Sequence, residues 1–115
     1  MGTSKEEVLI KIVSQSQIKV CGHLLDIVLV DGLYSHEGHH AWGRFNCELQ
    51  RIELEYNQPV SKLGETLIHE ILHAIESSID LDLDELKIQV LANSLNQLGF
   101  GNHLLNQVDL AINLD

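Results

Sequence analysis

Between Leu63 and Ile79 the apolar residues Leu63, Leu67, Ile68, Ile71, Leu72, Ile75 and Ile79 recur at intervals of one to four residues. That spacing winds them onto one broad face of an α-helix, a face that has to be buried. Pro59 and Ser61 are start signals upstream, and the pattern predicts a helix from about Val60 to Ser78.

Inside this stripe stands His69-Glu70-Ile71-Leu72-His73. Four residues are about one helical turn, so both imidazoles leave the same face and can grip one zinc ion, with Glu70 beside its open coordination position. With 7 His in 115 residues, roughly 0.04 accidental matches to this pattern are expected, yet the chain carries two. The second, His36-Glu37-Gly38-His39-His40, follows Asp31-Gly32, contains Gly38 and lacks apolar periodicity, so it is read as a loop in which the spacing has no geometric meaning. There His36, His39 and His40 form an exposed cluster that could bind adventitious metal or line a cleft.

Upstream, the pattern has period two. Ile18 and Val20 alternate with Lys19 and Cys21, and Gly22-His23 is the expected turn into a more buried strand, Leu25 to Val30. Trp42 to Cys47 and Arg51 to Tyr56 read as two further strands, with Ile52, Leu54 and Tyr56 on one face and Arg51, Glu53 and Glu55 on the other. Glu6 to Ser14 fits a helix or a strand equally well. After the long helix, Ile79 to Asp82 turns into a second helix from about Leu83 to Leu98, which Gly99 and Gly101 stop. The expectation is a single α+β domain over 1–115, with a mostly antiparallel four-stranded sheet followed by two long helices. Residues 1–15 form an N-terminal extension and 103–115 a tail of open structure.

Seven basic against seventeen acidic residues give a net charge of −10, which repels a phosphate backbone and argues against direct nucleic-acid binding. Cys21 and Cys47 lie in no CxxC pair, and a polar start without an apolar core offers no secretion signal. Reduced, half-buried thiols in a cytoplasmic protein without membrane spans are therefore expected.

A catalytic zinc takes three protein ligands and lowers the pKa of a water toward neutrality, while a nearby unbound carboxylate, here Glu70, takes the proton and passes it to the leaving amine. His69 and His73 are two metal ligands. For the third, Glu76 lies seven residues after His69, about 10 Å along the axis at 1.5 Å per residue, too far for all three to share one ion comfortably. Glu85 can approach from the second helix, although Asp82-Leu83-Asp84-Glu85 has capping-box spacing that could instead tie it to the helix start. In a tight hairpin, six residues back from Ile79 to His73 and six forward from Leu83 place Gln89 beside the metal, where a glutamine would be a poorer, neutral ligand. Glu65, one turn before His69, either orients that ring or answers the helix dipole. Tyr34, Tyr56 and His103 are candidates for stabilising an oxyanion.

Thr66-Leu67-Ile68-His69-Glu70-Ile71-Leu72-His73-Ala74-Ile75, with Leu91-Ala92-Asn93-Ser94-Leu95 and Gln97-Leu98 beyond, resembles the small phage- and prophage-encoded zinc-metallopeptidase-like proteins and, more distantly, the ImmA/IrrE-type metallopeptidases. The likeness takes in Ile27 to Leu33 and the Trp42 to Leu54 hairpin, hence most of Lys19 to Asn102. It implies a minimal zincin fold whose edge strand lies along the cleft, a second helix giving an acidic third ligand, and limited cleavage of a repressor-like protein. The implied acid falls at Gln89 or, a turn earlier, at Glu85.

The leading expectation is thus a zinc-dependent metallopeptidase binding an extended peptide along Arg51 to Tyr56 by strand addition. The alternative is a catalytically weak or inactive zincin-derived module that docks its acidic surface on a protein partner. An inhibitor of a nucleic-acid-binding enzyme is a third reading, suggested by charge alone.

Overall fold

The computed structural model describes residues 11–33, 38–108 and 110. Four strands, β1 (Lys11–Val20), β2 (His23–Asp31), β3 (Gly43–Asn46) and β4 (Arg51–Glu55), precede three helices, α1 (Val60–Ile79), α2 (Glu85–Gln97) and α3 (Phe100–Gln107). The α+β class is as expected. Two details differ.

The sheet is mixed, in the order β1-β2-β4-β3, with β2 and β4 parallel and the other pairs antiparallel. Alternation along a strand says which residues share a face but not which neighbour it pairs with. Here the chain leaves β2, lays β3 at the far edge, and returns through a hairpin so that β4 fills the gap. A third helix also occupies part of what was read as a C-terminal tail, beginning after Gly99 at φ 95°.

Cys21 and Gly22 take φ of 51° and 82°, the two left-handed positions of a type I′ hairpin, so the turn lies one residue earlier than Gly22-His23. The ambiguous Glu6–Ser14 segment resolves as strand from Lys11 onward; its first residues lie outside the described ones.

On one face of the sheet, Leu25, Ile27, Leu29, Ile52 and Leu54 pack with Leu63, Leu67 and Ala74 of α1 and with Leu105 and Val108. Each fully buried aliphatic side chain there contributes about 1.5–3 kcal/mol. The parallel register sets Glu53 beside Val28 and Glu55 beside Val30 on the opposite face. Both glutamates lie on the face opposite Ile52 and Leu54, as the alternation predicts, and both are fully buried. Glu53 is neutralised by Arg44 Nε and Arg51 Nη2, each at 2.6 Å. Glu55 accepts from Gly32 N, Leu33 N and Asn57 N at 2.8–3.2 Å, and His40 Nε2 lies 3.0 Å from it. A buried carboxylate with that many partners ties the loop after β2 to the turn after β4.

α1 begins after Pro59 with no side-chain cap, and Ser61 is its second helical residue. It ends at Asp80, whose φ of 54° is left-handed. The α1–α3 packing requires two glycines: a Cβ on Gly101 would lie 2.9 Å from the Gly64 Cα. Gly101 is therefore a close-approach residue within α3, not a helix stop. No helix among the described residues is long and apolar enough to cross a membrane.

Candidate metal centre

Helix α1 presents His69 and His73 one turn apart with ring centroids 5.0 Å from each other. Glu85 faces both: its Oε1 lies 2.8 Å from His69 Nε2 and its Oε2 3.3 Å from His73 Nε2. One donor atom from each of the three lies within 4.8 Å of the others. This donor set, two imidazole nitrogens and one carboxylate oxygen, is of the kind that could hold a metal ion. It is the metal-ligand cluster found among the described residues.

The helical hairpin explains why Glu85 rather than Gln89 reaches the rings. Asp84, not Asp82, caps α2, accepting Lys87 N at 2.8 Å; Glu85 is then the first helical residue and its side chain is not consumed by a capping box. Asn93 Nδ2 donates to Glu65 Oε1 at 2.9 Å, so the pairs 73 with 85 and 65 with 93 share a centre at Ile79. The expected hairpin centred on Leu81 and thereby slipped by one turn. Gln89 lies instead with His69 in the cleft wall.

Glu76 stands outside this cluster. Its Oε1 is 3.0 Å from His73 Nδ1, the nitrogen turned away from Glu85, and its Oε2 accepts Leu83 N at 2.7 Å. Glu65 sits beyond the first turn of α1 and ties the two helices through Asn93, so the dipole account does not apply to it.

Burial lowers the pKa of His69, and nearby Glu85 only partly offsets this; the neutral imidazole favoured by burial is the form that ligates metal. Glu70 is 7% exposed, and burial pushes its pKa up to about 7 despite His73 and a hydrogen bond from the Phe45 N–H. That amide belongs to edge strand β3. In an antiparallel pair the N–H and C=O groups of alternate residues point away from the partner. Since Trp42 O accepts from Glu55 N, the groups of Gly43 and Phe45 face outward, toward α1.

This close approach depends on Gly43, where a Cβ would lie 2.6 Å from Thr66 Cγ2 and 3.1 Å from Glu70 Cγ. Thr66 is itself held by Gln58, whose amide donates to the Trp42 carbonyl at 2.9 Å. A glycine opening a strand is a sequence signal of close backbone contact. Trp42, Gly43, Thr66, His69, Glu70 and Gln89 line one half of a cleft, a cavity of about 460 Å³. Gly43, Arg44, Phe45, Cys47, His73 and Ser77 line the other, about 440 Å³.

The strand Arg51–Tyr56 expected to receive a peptide is interior, flanked by β2 and β3, and has no edge to offer. The edge along the cleft is β3. His40 bonds to buried Glu55 and stacks edge-on with Trp42, ring centroids 5.1 Å apart, so it serves the fold. His36 and Tyr34 lie outside the described residues. Tyr56 and His103 are in neither lining. Cys21 and Cys47 are free and exposed rather than half-buried. No family model, curated protein or solved structure matches the chain.

Proposed function

We propose that this protein is a zinc-dependent metallopeptidase, and that its kinship is with the phage and prophage zinc-metallopeptidase-like proteins it resembles. The observation that carries the reading is the convergence of His69, His73 and Glu85 beside a buried Glu70 that lines an open cleft. When bound, zinc supplies Lewis acidity toward water and toward a peptide carbonyl.

The chain supplies the rest. His69, His73 and Glu85 hold the ion. An extended peptide pairs with the outward backbone groups of Gly43 and the carbonyl of Phe45 by strand addition, while the Phe45 N–H stays on Glu70. The Glu70 carboxylate, oriented by the Phe45 N–H, takes a proton from the attacking water and returns it to the departing amine. Glu85 supplies the acidic ligand that Gln89 would not, and no observation favours the binding-module alternative.

The test is zinc analysis of untagged protein with hydrolysis of a quenched-fluorescent peptide library. One zinc per chain is expected, with cleavage lost in chelator and restored by zinc. Glu70→Gln should keep the metal and lose about 10²- to 10⁴-fold in turnover. Full activity of that variant at full occupancy would refute the assignment.

A further inference from the structure

We propose that Glu76 is a positioning residue for the metal centre, acting through His73; this rests on the zinc reading above. Glu76 and His73 share a face of α1, three residues apart, and Oε1 of Glu76 meets Nδ1 of His73 at 3.0 Å. The opposite ring nitrogen, Nε2, is the one that faces Glu85. A carboxylate accepting the Nδ1 proton leaves the Nε2 lone pair toward the ion and stops the ring from turning about χ2.

What distinguishes Glu76 from an ordinary i,i+3 neighbour is that it is itself immobilised. Its second oxygen accepts the Leu83 N–H at 2.7 Å, its backbone carbonyl accepts the Leu81 N–H at 3.0 Å, and its side chain is 16% exposed. Surface glutamates three residues from a histidine have no such anchor and contribute little to ring orientation. Here the turn after α1 holds the carboxylate, the carboxylate holds the ring, and the ring offers one nitrogen to the metal.

Both donors to Glu76 are N–H groups. Glutamine has the same shape but only one acceptor oxygen, so its amide cannot accept from both the His73 Nδ1–H and the Leu83 N–H. Glu76→Gln is therefore a sharper test than truncation, because packing is kept while one of the two bonds is lost.

Zinc affinity is measured by chelator competition on the full chain in wild type, Glu76→Gln, His73→Ala and the double variant, with His69→Ala as reference. Glu76→Gln should weaken zinc binding by about 10- to 100-fold and add no further loss in the His73→Ala background. Wild-type affinity in Glu76→Gln, or an equal loss in both backgrounds, would overturn the proposal. A second measurement needs no variant: long-range ¹H–¹⁵N NMR of zinc-loaded wild type should place the His73 proton on Nδ1, and finding Nδ1 on the metal would also overturn it. Should wild type and His69→Ala bind zinc equally, the zinc reading itself fails, an outcome separate from the failure of Glu76 alone.

Discussion

Glu85 Oε1 lies 2.8 Å from His69 Nε2, bringing the first residue of one helix against the middle of another. Glu85→Ala should cost about 100- to 1,000-fold in zinc affinity, a quarter of the roughly 10–16 kcal/mol that a four-ligand site gains from its metal. Its carboxylate is half exposed and caps nothing, so the metal-free protein should melt as wild type does. Calorimetric zinc titration beside thermal melts in chelator checks both halves. Undiminished affinity would remove Glu85 from the ligand set.

Gly43 is where the edge strand touches the motif helix. Gly43→Ala puts a methyl 2.6 Å from Thr66 Cγ2, an overlap that should destabilise the fold by about 1–3 kcal/mol and push β3 off Glu70. Thr66→Ser deletes that methyl while keeping the hydroxyl bonded to Gln58. The double variant should recover most of the stability in urea unfolding; no recovery would mean that the Glu70 side chain, not Thr66, sets the limit.

Acid sensitivity should come from Glu55. Burial pushes its pKa up, but hydrogen bonds from Asn57, Leu33 and Gly32 outweigh this and hold it below 4.5. A carboxylate depressed in the folded state stabilises fully above its unfolded pKa, and that stabilisation is lost as pH falls through the folded one. Melting temperature should therefore drop as pH falls below about 4.5, the ordinary glutamate range. Glu55→Gln, which leaves buried N–H donors short of an acceptor, should be about 1–3 kcal/mol less stable at pH 7 and show a flatter acid limb. An unchanged acid limb would assign the sensitivity to other groups.

Gly101→Ala separates helix propensity from packing. In an exposed helix the change would stabilise by up to about 1 kcal/mol. Here the added Cβ meets Gly64 Cα at 2.9 Å, and the backbones cannot give way as a side chain does, so a net loss of about 1–3 kcal/mol is expected by chemical denaturation. The α1–α2 centre is built by other residues, so zinc stoichiometry should stay at the wild-type value; a stabilised variant would refute the close-packing account.

Apolar spacing alone was enough to locate helix α1 and to put His69 and His73 on one of its faces with Glu70 beside them, because a helix repeats every few residues and needs no partner to define its faces. The strand positions were legible for the same local reason, through period two along Leu25–Val30 and Arg51–Tyr56. What the tertiary structure decided were relationships between segments distant in the chain. The parallel pairing of β2 with β4 made β3 the cleft edge, since alternation is silent about neighbours. Burial of Glu53 and Glu55 followed from partners supplied by Arg44, Arg51 and the 32–33 backbone. The choice of Glu85 over Gln89 turned on one helical turn of hairpin register, set where Asp84 caps α2 and Leu83 meets Glu76, and no single-helix periodicity encodes that offset.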